Sequence, residues 1–109
     1  MKLTKYPGAS LLLGLMGAVG AGQALAQDSA ALYQRATAAT CANCHGTDGK
    51  SVSGSAVPSL AGMPKAQMLA QMKAFRDGSR QATVMHQLAK GLTEQQIESV
   101  ADYFAAQKR

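Results

Sequence analysis

Tryptophan is missing from these 109 residues, and only two cysteines and two histidines are present. A chain this short holds one small domain, which excludes a multidomain enzyme. Long apolar runs are also scarce. Beyond residue 26 every hydrophobic stretch is interrupted by Gln, Lys, Arg or His, so none reaches the roughly 20 residues of a membrane-spanning helix. No dense block of one charge exists either. The formal charge is +5, but the cations stand singly from Arg35 through Lys50, Lys65, Lys73, Arg76, Arg80 and Lys90 to Arg109, with few aromatics among them. Such a pattern gives little support to nucleic-acid binding. Aromatics are sparse as well: after residue 26 only Tyr33, Phe75, Tyr103 and Phe104 remain. Alanine supplies most of the other apolar positions and buries little area, so a disulfide, a metal or a large cofactor is expected to complete the core.

What is present begins with a processing signal. Lys2 and Lys5 precede the apolar run Leu11 to Val19, and Ala24-Leu25-Ala26 supplies an A-x-A pattern. The run is too short for a membrane anchor. Residues 1–26 are therefore expected to be a secretory signal peptide, residues 27–109 the mature domain, and its location the periplasm.

The mature chain reads as all-α. A first helix is expected from Ser29 or Ala30 to Thr40, with Leu32, Tyr33, Ala36 and Ala39 as its buried stripe. Gly46 to Met63 lacks a sustained period and reads as a long loop, a length that is uncommon unless functional. Pro64 suits the start of a second helix, Gly78 its end, and Met68, Leu69, Met72 and Phe75 its inner face, while Lys65, Lys73 and Arg76 reach solvent. A short third helix is expected from Ala82 or Thr83 to Ala89. The last helix is the best marked, because Thr93 and Gln96 make a capping box and Ile97, Val100, Ala101, Phe104 and Ala105 a buried stripe. No segment alternates as a strand does.

The sharpest local signal is Cys41-Ala42-Asn43-Cys44-His45, followed by Gly46. Cys-x-x-Cys-His is a c-type haem attachment motif. Two thiols at this spacing reach the vinyl-derived carbons on one side of a porphyrin, and the adjoining imidazole turns under the ring to bind iron. A Cys41–Cys44 disulfide and a thioredoxin-like redox pair both leave His45 unexplained, and the latter lacks its βαβ context. A zinc site with Cys41, Cys44 and His86 lacks a fourth ligand. One covalently attached haem c also fills the core that the alanines leave thin. In this reading His45 needs an acceptor for its Nδ1 proton, and a carbonyl near Pro58 is the candidate.

For the second axial position, Met68 and Met72 lie within the amphipathic second helix and read as haem-pocket packing. Met63 lies at the pocket rim before Pro64. Met85 sits in the short segment between the second and last helices and is the preferred iron ligand. His86 is its challenger, but adjacent residues on a helix diverge by about 100 degrees, so only one of the two faces the metal.

Through Cys41 to Gly46, the Pro58-Ser59-Leu60-Ala61-Gly62 stretch, Met85, and Gly91-Leu92-Thr93-Glu94 through Ala101-Asp102-Tyr103-Phe104-Ala105, the chain resembles the class I c-type cytochromes over nearly all of residues 28–107. Within them it resembles the small bacterial cytochrome c4, c553 and flavocytochrome c sulfide dehydrogenase haem-subunit group. That resemblance implies about four helices around one haem, crossing first and last helices, His45 proximal, Met85 distal, and Pro58 positioning the imidazole. Gly78-Ser79-Arg80 and Thr83 to Thr93 look especially like the haem subunit that accepts electrons from a sulfide-oxidising flavoprotein. Ala36 and Thr37 depart from the pattern, standing where many relatives place an aromatic. The function implied is single-electron transfer rather than catalysis, with redox proteins as partners. The alternatives are a freely diffusing c553-type carrier with another donor and a haem-based sensor or peroxidase.

Overall fold

The computed structural model describes residues 28–109, and the expected signal peptide lies outside them. Four α-helices and one 3₁₀ turn make up the regular structure of the described residues, with no strand. Helix α1 occupies 28–45, α2 Lys65–Asp77, α3 Met85–Gly91 and α4 Glu94–Ala105. The 3₁₀ turn, Thr47–Gly49, follows α1 directly. Residues 33–109 form one compact unit, and the described residues before it are the opening of α1. Among the described residues no helix is long and apolar enough to cross a membrane.

Local signals account for the limits of α2 and α4. Pro64 precedes α2 with φ −55°, and Gly78 ends it in the left-handed region at φ 82°. At α4 the Gln96 amide donates to the Thr93 hydroxyl at 3.1 Å, and the Thr93 amide donates to Gln96 Oε1 at 2.9 Å. This reciprocal pair satisfies two backbone donors that would otherwise lack helical partners. Ile97, Val100, Ala101 and Phe104 form its buried stripe as expected, but Ala105 is exposed. Helix α3 begins at Met85, two or three residues later than its composition suggests.

The expected inner face of α1 is the wrong one. Leu32 and Tyr33 are 65% and 56% exposed, and Ala36 and Ala39 also face outward. The inner stripe instead runs through Gln34, Ala38, Cys41 and His45, at steps of four, three and four residues. This stripe is displaced from the expected one by two residues, about 200 degrees around a helix with 3.6 residues per turn. Ala38 packs in the core with Met68, Val100, Ala101 and Phe104. Small side chains at 38 and 101 let α1 and α4 meet closely, and Gln34 Nε2 donates to the Ser99 carbonyl at 2.9 Å beside them. Tyr33 joins the same crossing from the outside, accepting a hydrogen bond from Gln96 Nε2 at 2.8 Å. The crossing thus holds without an aromatic at 36 or 37.

Candidate haem site

Helix α1 continues through the whole Cys-x-x-Cys-His segment instead of stopping at Thr40. Cys41 is therefore one helical turn from both Cys44 and His45, the i,i+3 and i,i+4 relationship that brings side chains onto a shared face. Cys41 is half-buried and Cys44 exposed, and no disulfide joins them. Burial pushes the Cys41 thiol above the ordinary cysteine range, against a lowering hydrogen bond from Thr40. The thioredoxin-like alternative finds no strand beside the pair among the described residues. Among the described residues no group of three or more His, Cys, Asp or Glu could hold a metal ion, so the zinc alternative lacks its donor set.

Among the described residues His45 is the one buried polar residue, 8% exposed. Its Nδ1 lies 2.6 Å from the Pro58 carbonyl oxygen. A carbonyl only accepts, so Nδ1 is the donor, and Nε2 is left as the ring nitrogen that can offer a lone pair. The ring is thus fixed in the tautomer and orientation of a metal-ligating imidazole.

The loop geometry explains why Pro58 arrives there. The Gly49 carbonyl accepts from the Leu60 amide at 2.7 Å, the Ala61 amide at 3.1 Å and the Ser59 hydroxyl at 2.7 Å. Three donors on one oxygen pin the chain immediately after Pro58 to the turn immediately after His45. Gly49 itself sits at φ 77° against the Phe104 ring, which a Cβ would approach to 2.7 Å. At Gly46, φ 85°, a Cβ would fall 1.9 Å from the Lys50 carbonyl oxygen. Each position therefore requires glycine, one for close approach to the core and the other for the reversal out of α1.

The methionines separate into two groups. Met68 is in the buried core, and Met63 and Met72 pack against it together with Cys41 and Leu60. Met85, first residue of α3, is half-buried and stands apart from that cluster. Next to it, His86 Nδ1 is buried without a hydrogen-bond partner in this structure, the one such side-chain atom among the described residues. Val84 and Leu88, about half exposed, and Val52, 77% exposed, add apolar surface on α3 and on the attachment loop. A haem group fits this set: two thiols and an oriented imidazole on α1, a thioether outside the packed core, an unpaired buried polar atom beside it, and apolar side chains to cover a macrocycle.

Two further residues, Tyr103 and Arg76, make contacts that the sequence does not announce, because their partners are remote along the chain. Tyr103 donates to Asp48 at 2.7 Å, and Arg76, expected in solvent, reaches the Ala89 and Leu92 carbonyls and Glu94. No local spacing announces either one.

An all-helical domain with a buried, oriented imidazole beside paired thiols defines a small haem-attachment protein. Residues 21–108 match the cytochrome c family, and the chain belongs to it. It is a class I c-type cytochrome, and its cofactor is covalently attached haem c. It is 43% identical over 65 residues to the cytochrome subunit of sulfide dehydrogenase of Chlorobaculum tepidum, covering 60% of this chain and 57% of that one. It is 42% identical over 98 residues to cytochrome c4 of Pseudomonas aeruginosa, covering 90% and 45%. With cytochrome c-554(548) of Halomonas halodenitrificans it shares 36% over 72 residues, covering 63% and 86%. The chain thus spans about half the length of the first two relatives and most of the third.

Proposed function

We propose that this electron carrier holds its haem through Cys41 and Cys44, with His45 and Met85 as the axial ligands of the iron, and that it works in the periplasm once residues 1–26 are removed. The observation that carries the reading is the His45 Nδ1 to Pro58 contact of 2.6 Å. Bound haem supplies one-electron chemistry, the iron alternating between ferric and ferrous. The chain does the rest. Cys41 and Cys44 tether, and the buried His45 presents a fixed lone pair. The Pro58 carbonyl, by accepting a hydrogen bond from Nδ1–H, raises the basicity of that lone pair. Met85 supplies a thioether, a ligand that raises the potential relative to two imidazoles. Two retained ligands leave no open position for oxygen or peroxide, so the chain is not an enzyme by itself.

The donor in this reading is a sulfide-oxidising flavoprotein, supported by the 43% identity to a sulfide dehydrogenase cytochrome subunit. A second reading, a freely diffusing carrier, is supported by the coverage of 86% of a small cytochrome. Copurification from native extract separates them: comigration with a flavoprotein supports the subunit, a lone monomer the carrier.

Met85→Ala should abolish the sulfur-to-iron absorption band and lower the potential, and Met63→Ala should keep the band. Retention of the band in Met85→Ala would move the ligand elsewhere. A carbon monoxide adduct of the reduced wild type would favour an open or labile sixth position, as in a sensor or peroxidase.

A further inference from the structure

Helix α3 has only seven residues and no side-chain cap at its start. So short a helix is not stable on its own. Its far end is gripped by a single side chain from the last turn of α2. Arg76 Nε donates to the Ala89 carbonyl at 3.1 Å, one terminal nitrogen donates to the Leu92 carbonyl, and the other donates to Glu94 Oε1. Ala89 is fully buried, and the Arg76 side chain is 29% exposed. The two carbonyls lie where α3 ends and the chain turns into α4, so they lack helical donors and need partners from outside. A planar guanidinium meets the three acceptors from three separate nitrogens, whereas the donors of lysine all leave from one.

We propose that Arg76 is a positioning residue for Met85: by clamping the α3–α4 junction onto α2 it fixes where α3 lies, and with it the hold of Met85 on the iron. The proposal rests on Met85 being the ligand. Glu94, 85% exposed at its side chain, completes the clamp from outside and matters less than the two carbonyls.

The test uses the holoprotein in its wild-type, Arg76→Gln, Arg76→Lys and Glu94→Gln forms. In one denaturant titration of each, the sulfur-to-iron band and the far-ultraviolet helix signal are followed together. Arg76→Gln and Arg76→Lys should lose the band at lower denaturant than the helix signal, opening a gap between the two midpoints wider than in wild type, while Glu94→Gln keeps the wild-type gap. Parallel shifts of both midpoints in the Arg76 variants would reduce Arg76 to general stability and overturn the proposal. A wild-type gap in Arg76→Lys would overturn it too, because charge alone would then suffice. Failure of the ligand reading shows separately, as a band that survives in Met85→Ala.

Discussion

The hydroxyl of Tyr103, on α4, donates to a carboxylate oxygen of Asp48 across 2.7 Å and ties the last helix to the turn that follows the attachment segment. The neighbouring Phe104 packs edge-on to the Tyr103 ring, with centroids 5.2 Å apart, and carries Gly49 on its own ring. Two consecutive side chains of α4 thus hold the 3₁₀ turn, one by a hydrogen bond and one by packing.

The Asp48 bond favours the protonated phenol and holds Tyr103 above the ordinary tyrosine range, with burial adding to the effect. A group whose folded pKa is raised stabilises the fold fully below its unfolded pKa and loses that contribution as pH rises through the folded one. Stability of the wild type should therefore fall at alkaline pH, as Tyr103 ionises beside Asp48. Tyr103→Phe should lack this component when urea midpoints are compared between neutral and alkaline pH. An alkaline fall of equal size in the variant would contradict the assignment.

Gly49→Ala combines a left-handed backbone with a Cβ 2.7 Å from the Phe104 ring. Left-handed strain and overpacking together should cost about 3 kcal/mol, read as a lower urea midpoint with an unchanged slope. A midpoint within error of wild type would show that the turn is not seated on Phe104 as described.

How much of this was legible in the sequence depended on how local each signal is. The Cys-x-x-Cys-His segment was legible because its spacing lies within one helical turn, and the ends of α2 and α4 because Gly78 and the Thr93–Gln96 pair act within a few residues. The inner face of α1 was not. Its largest apolar side chains, Leu32 and Tyr33, point outward, and the face that packs is chosen by α4 through Ala38 and the Gln34 contact with Ser99. Arg76 misled for a related reason: its partners are mostly backbone carbonyls, which carry no side-chain pattern. The Pro58 contact was legible because a buried imidazole needs an acceptor and the loop returns there, although the three hydrogen bonds onto the Gly49 carbonyl that fix the return left no trace in composition.

Peptide mass spectrometry of the holoprotein, purified from a host competent in haem attachment, bears most directly on the site. The peptide spanning Cys41 to His45 should carry the added mass of one haem joined through both sulfurs, with neither thiol open to alkylation. The same peptide recovered with two alkylated thiols and no porphyrin mass would contradict the assignment of Cys41 and Cys44.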